Sequence, residues 1–221
     1  LGTDSMGRDV AWRLVRGTEA FVGPGLLACL LASLIGVPGG ALAGWLHGPR
    51  SDALRFFFTV VSALPRFVLI LLVCAIYGKE TWILGVAAGI AYAPALSEAV
   101  YARVSSFRQA GFVMAGKAHG LRSRRILGIH LVWVNCRALL GRHLLRLFAY
   151  FLLVETTLSF LGDFGVQEPQ PSWGNMISRD ALQGVGSDLN LWATFAPIAA
   201  IWLSIMACVL LAESLKEADI V

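Results

Sequence analysis

The chain has 221 residues, 57% of them hydrophobic and 14% charged, with a mean hydropathy of +0.70. A soluble domain carries roughly 25% charged residues, so this balance excludes a disordered chain and argues against a soluble enzyme. The net charge of +4 suits a membrane protein whose inner loops collect Lys and Arg, and no nucleic-acid partner is expected. A membrane crossing takes about 20 apolar residues, so the length allows about four to six spans.

Residues 1–19 are polar and mixed and form an N-terminal segment ahead of a membrane domain over 20–221. Asp4 or Ser5 is placed to cap a short helix carrying Val10, Leu14 and Val15 on one side. Residues 20–46 hold no charge, and Pro24 and Pro38 fall inside them. A lipid-embedded helix tolerates such prolines when its neighbours satisfy the freed carbonyls. Gly36, Gly39, Gly40 and Gly44 give this first span a small-residue face for close packing.

A polar turn over 47–52 leads to a second span, residues 53–77, with Pro65 and Arg66 inside it. The third span begins near Thr81 and continues as helix to Val104. Residues 103–125 form a basic loop: Arg103, Arg108, Lys117, Arg122, Arg124 and Arg125, with no acid. Phe107, Ala110, Gly111, Met114 and Ala118 recur at helical spacing, so a short amphipathic helix is predicted, ended by Gly120. Such a helix can lie on the membrane surface or dock into another protein.

A fourth helix is predicted over 124–160, roughly 50 Å at 1.5 Å per residue. That exceeds the ~30 Å hydrocarbon core, so part of it protrudes or bends. A long polar stretch over 162–190 follows, then a last span over 189–212 and an acidic tail. Five alternating spans place nine Lys/Arg on the side of the basic loop and five on the other. The excess puts the basic loop in the cytoplasm and the N-terminal segment outside.

Charges inside spans are costly and face protein or water. Arg142 and Arg146 lie one turn apart and are pathway candidates, as is Glu155; their spacing to Glu155 gives no direct pair. Cys29, Cys74, Cys136 and Cys208 each sit alone in an apolar run, so no metal site or disulfide framework is expected. No HExxH, GxSxG or Walker A sequence occurs, and no catalytic residue is expected. On composition alone, a membrane scaffold or receptor without a pathway fits the loops equally well.

Three ordered blocks resemble one family. The first is Leu1-Gly2-Thr3-Asp4-Ser5-Met6-Gly7-Arg8-Asp9-Val10. The second is residues 112–120 of the basic loop, with His130-Leu131 and Asn135. The third runs from Glu155 to Gly162, then through Gly165-Val166-Gln167 to Pro169-Gln170-Pro171-Ser172-Trp173-Gly174. They resemble the C-type inner-membrane permease subunit of dipeptide, oligopeptide and nickel ABC importers, and cover nearly the whole chain. Two departures stand out: Met114 occupies the family's loop Glu, and no proline follows His130-Leu131.

The resemblance implies an all-α polytopic protein with the type I ABC importer transmembrane fold, about five spans here, and the bacterial inner membrane as its location. Family members carry one more N-terminal span. It implies a permease role, with half of a pathway formed against a second permease subunit. Peptide is the expected cargo, and nickel or a metal chelate the alternative. Two ATP-binding subunits would hold ATP and Mg, with no cofactor in this chain. The basic loop would be the coupling element, contacting an ATPase through Phe107, Phe112, Met114, Ala115, Lys117, Gly120 and Leu121. Asp4, Arg8, Asp9, Pro171 and Trp173 would face an extracytoplasmic binding protein.

Overall fold

A computed structural model describes residues 2–4, 6–162, 164–183 and 191–217. Leu1 and Ser5 of the first block, residues 184–190 of the outer stretch, the predicted start of the last span at Leu189, and the end of the acidic tail lie outside the described residues. The elements are α1 (Val10–Arg16), α2 (Glu19–Trp45), α3 (Pro49–Ser62), α4 (Arg66–Tyr77), α5 (Thr81–Phe107), α6 (Gly111–Ala118), α7 (Ser123–Arg125), a π-helical segment (Ile126–Val134), α8 (Arg137–Leu161), α9 (Trp173–Gln183) and α10 (Leu191–Glu217). Among the described residues there is no strand beyond one isolated bridge between Thr3 and Asp9. The all-α expectation holds.

Helices α2 and α5 form the centre. Their contact faces repeat small residues every four positions: Ala28, Ala32, Gly36, Gly40 and Gly44 on α2, and Gly85, Gly89, Ala93 and Ser97 on α5. A Cβ on Gly36 would lie 2.7 Å from the Ala93 carbonyl, and one on Gly85 2.5 Å from the Pro24 carbonyl. Backbones meet this closely only where side chains are missing, and the gain in lipid is dispersion between the two surfaces. The register is parallel. Gly23 lies against Trp82, Gly89 against Ala28, and Gly44 against Val104.

The parallel register has a topological consequence. The chain leaves α2 at one face of the membrane and enters α5 at the other, so the α3–α4 pair must carry it back across. This pair is not the continuous second span that was predicted. It is bent by 76° between Ser62 and Arg66. Pro65 is the cause: it lacks an N–H, and its ring keeps Leu64 out of the helical region. Among the described residues four helices are long and apolar enough to cross singly, and the bent pair, taken as one span, makes a fifth crossing.

The predicted fourth helix is also broken. The chain turns at Asn135 and Cys136, between the π-helical segment and α8. α8 then runs antiparallel to α2: Gly25 lies against Phe148 and Phe151, and the Cys29 thiol meets the Leu144 carbonyl at 3.5 Å. α10 returns alongside α8, with Gly141 against Leu215.

The core has two main bodies. One, toward the start of α2, gathers Val10, Phe21, Ile70, Leu84, Phe151, Leu158, Trp173 and Met176. The other, toward its end, gathers Val100, Val104, Val113, Ile126, Leu131 and Leu139.

Candidate functional site

The two ends of the bundle carry the polar architecture. At the end where α2 begins, Asp4 and Glu168 meet Arg8 and Arg13. Arg8 lies 2.7 Å from Asp4 and 2.8 Å from Glu168. Arg13 reaches the other Glu168 oxygen at 2.8 Å and lies 3.8 Å from Asp4. Asp4 also accepts from the N–H groups of Met6 and Arg8. Burial pushes the Asp4 carboxyl up, but the Arg8 hydrogen bonds outweigh it and hold the group below its ordinary 3.8. Glu168 follows the same pattern: desolvation raises it, and Arg8 and Arg13 bring it below 4.5.

The expected helix cap is corrected. Asp9, not Asp4 or Ser5, caps α1, accepting from the N–H groups of Ala11 and Trp12. Asp4 is occupied by the arginines. Val15 is exposed rather than on the buried side with Val10. Arg13 and Glu168 were not singled out from sequence. The available signal was three arginines in the N-terminal segment, Arg8, Arg13 and Arg16, and an acid in the 162–190 stretch.

Trp173 is corrected too. It is buried, packed at a tilt of 59° against Phe21 with ring centroids 4.7 Å apart, and its indole N–H donates to the Leu14 carbonyl at 2.8 Å. The indole therefore clamps α1 and α2 to α9 and presents no face to a binding protein. Pro171 is half-buried and lines an outer hollow of about 440 Å³ with Trp12, Arg16, Glu19 and Trp82.

Glu155 is fully buried, which corrects its reading as a pathway residue. Ser159 donates to it at 2.7 Å and in turn accepts from the Val166 N–H. Asn175 holds the same loop, donating to the carbonyls of Val166 and Gln170. The Glu155 turn of α8 therefore faces the outer loop that it helps to fix.

At the opposite end, α6 lies beside the ends of α2 and α5, with Lys117 over Trp45 and Val113 in a cluster with Val100 and Val104. Val113 is fully buried in the inner core and anchors it. Around that anchor Phe112, Met114, Ala115, Lys117, Gly120 and Leu121 are exposed, while Phe107 is half-buried under Phe112, ring centroids 6.1 Å apart. Lys117 turns back over the Trp45 ring at 4.7 Å. Arg108 donates to the Leu46 carbonyl at 3.1 Å and so satisfies the end of α2. Gly120, at φ +77°, reverses the chain after α6. Val113 was not among the residues singled out, because an anchor and an exposed apolar residue look alike in sequence.

Arg146 of α8 pairs with Glu213, near the end of α10, at 2.6 Å, both about half exposed. Arg142, a turn away, is half-buried. Arg66 opens α4 and lies 4.8 Å from the centroid of the Tyr92 ring.

Comparison with known proteins gives a consistent result. A family described as "Binding-protein-dependent transport system inner membrane component" matches residues 36–218. The chain is 32% identical over 220 residues to the peptide transport system permease protein SapC of Escherichia coli O6:H1, covering all of this chain and 73% of that protein. It is 30% identical over 218 residues to the dipeptide transport system permease protein DppC of Alkalihalophilus pseudofirmus, covering 98% and 70%. Among solved structures, a chain of the MetNI methionine ABC transporter in inward-facing conformations superposes with a TM-score of 0.65 at 14% identity, over 92% of this chain and 96% of that one. That likeness shows the fold, the type I ABC importer transmembrane architecture.

Proposed function

The chain belongs to the family of binding-protein-dependent transport inner membrane components, and from that premise we propose that it carries peptides inward as one of two permease subunits driven by partner ATPases. It is a multi-pass inner-membrane transport permease. The peptide cargo rests on relatives that are peptide and dipeptide permeases. The observation that carries the coupling role is α6: an apolar anchor inside and an apolar patch outside. Val113 locks the helix to the ends of α2 and α5, and Phe112 and Met114 project from it at 46% and 59% exposure. A helix held this way transmits a push from a partner into the spans as rigid-body movement. Met114 offers a flexible apolar contact where a carboxylate is usual.

The test is uptake of a labelled dipeptide into vesicles holding the reconstituted complex. Uptake requires this chain, its partners and ATP, and the chain alone hydrolyses no ATP. Phe112→Asp lowers uptake at least tenfold and weakens co-purification of the ATPase subunits, because it places a charge in an apolar contact. Full coupling in that variant would sink the role of α6.

A further inference from the structure

The mid-depth charges define a site not yet assigned. Tyr92 lies about 16 Å along α5, at 1.5 Å per residue. That depth falls inside a hydrocarbon core of about 30 Å. Arg66 reaches the same level because the bent span breaks there, and it stands over the Tyr92 ring. Tyr92 shares a buried cluster with Leu147, and Leu144 packs against it, so the His143–Arg146 turn of α8 lies alongside. The cluster thus draws on α4, α5 and α8.

The charges are unequal in their partners. Arg146 has Glu213. Arg66 is exposed and makes no ion pair among the described residues. An exposed guanidinium at this depth does not face lipid; it faces water or another protein group. Its planar donor fork suits a carboxylate, which it binds through two parallel hydrogen bonds.

We infer that Arg66, seated on Tyr92 at the break of the second crossing and backed by Arg146 and His143, forms a mid-membrane binding site for the carboxylate of the cargo. This rests on the peptide reading above and names the group within the peptide that the pathway recognises. The break at Pro65 gives the site its position, because it puts the first residue of a helix, and not a mid-helix side chain, at the level of Tyr92.

The experiment uses the reconstituted complex with binding protein preloaded with either a free-acid dipeptide or its C-terminal amide. Arg66→Gln is expected to lower free-acid uptake about tenfold or more, the scale of losing a charge-assisted hydrogen bond, and amide uptake by less than twofold. Arg66→Lys keeps the charge and retains most of the free-acid uptake. Equal losses for both cargoes, or no loss, overturn the site. So does loss of the second permease subunit from purified Arg66→Gln complex, which would place an acid of that subunit on Arg66. Wild-type complex that carries neither dipeptide overturns the peptide reading and the site together, whereas wild-type complex that carries both isolates the site as the part under test.

Discussion

Arg13 is the least exposed charge in the outer network, and it is held by two carboxylates, so removing either leaves a buried cation short of a partner. Glu168→Gln is expected to cost about 1–3 kcal/mol, discounted toward the lower end because Glu168 is part exposed; thermal unfolding in detergent measures it. The pH dependence has a fixed sign. Asp4 and Glu168 titrate lower when folded than their ordinary 3.8 and 4.5. Their contribution is therefore complete above those values and is lost as pH falls through the folded ones. Hydrogen exchange of the Met6 and Arg8 amides is expected to stay protected at pH 5 and to open only once pH has fallen below the ordinary Asp value of 3.8; loss of protection already at pH 5 would contradict the network. The sequence held all four residues in plain view, but a pair 160 positions apart leaves no local signature. Trp173 has the same history. Its motif marked it, and only the fold shows that the ring is spent on Phe21 and Leu14. Trp173→Ala is expected to destabilise by about 3–5 kcal/mol, read as a lowered unfolding midpoint.

Among elements, the first span was legible because 27 uncharged residues with a glycine face admit one reading. The matching face on α5 was harder to see, since Gly85, Gly89, Ala93 and Ser97 are mixed with other small residues. Proline was the least legible signal. Pro24, Pro38, Pro94 and Pro197 sit inside helices, while Pro65 ends one. Every proline forfeits the same hydrogen bond, and the outcome depends on whether packed neighbours hold the helix together. Pro24 and Pro94 are buried, and exposed Pro38 lies between buried Gly36 and Gly40, whereas Pro65 and its neighbours Ala63, Leu64 and Arg66 are exposed. The closeness of α2 and α5 is open to test. Gly36→Ala is expected to cost about 1–3 kcal/mol through overpacking, whereas alanine at open Gly111 of α6 is expected to be neutral or to stabilise by up to about 1 kcal/mol, the helix-propensity scale. Paired unfolding curves decide it.

At the scale of the molecule, five crossings put the ends of α2 and α5 on one side with α6. A cysteine replacing exposed Gln109 is expected to react with an impermeant thiol reagent only from the cytoplasmic side, and one replacing exposed Gln167 only from outside. The native cysteines are buried or partly buried and give little background. Labelling of both from one side would refute the crossing of α8 between them. Much apolar surface remains uncovered: Phe56, Phe57 and Val60 on α3, and Trp202, Leu203 and Leu210 on α10, are more than half exposed. Such faces suit lipid or a second membrane subunit.

The four-residue repeat between α2 and α5 also governs how this pair can move. Small residues meet backbone at intervals of about 6 Å, four residues at 1.5 Å each. Sliding by less than one interval drives a bulkier neighbour into a carbonyl, so the two surfaces behave like toothed racks in mesh. Any stroke shorter than a tooth leaves them locked. A push delivered at α6 then travels along a single stiff beam two helices wide, and the compliance is left to the elbow at Pro65.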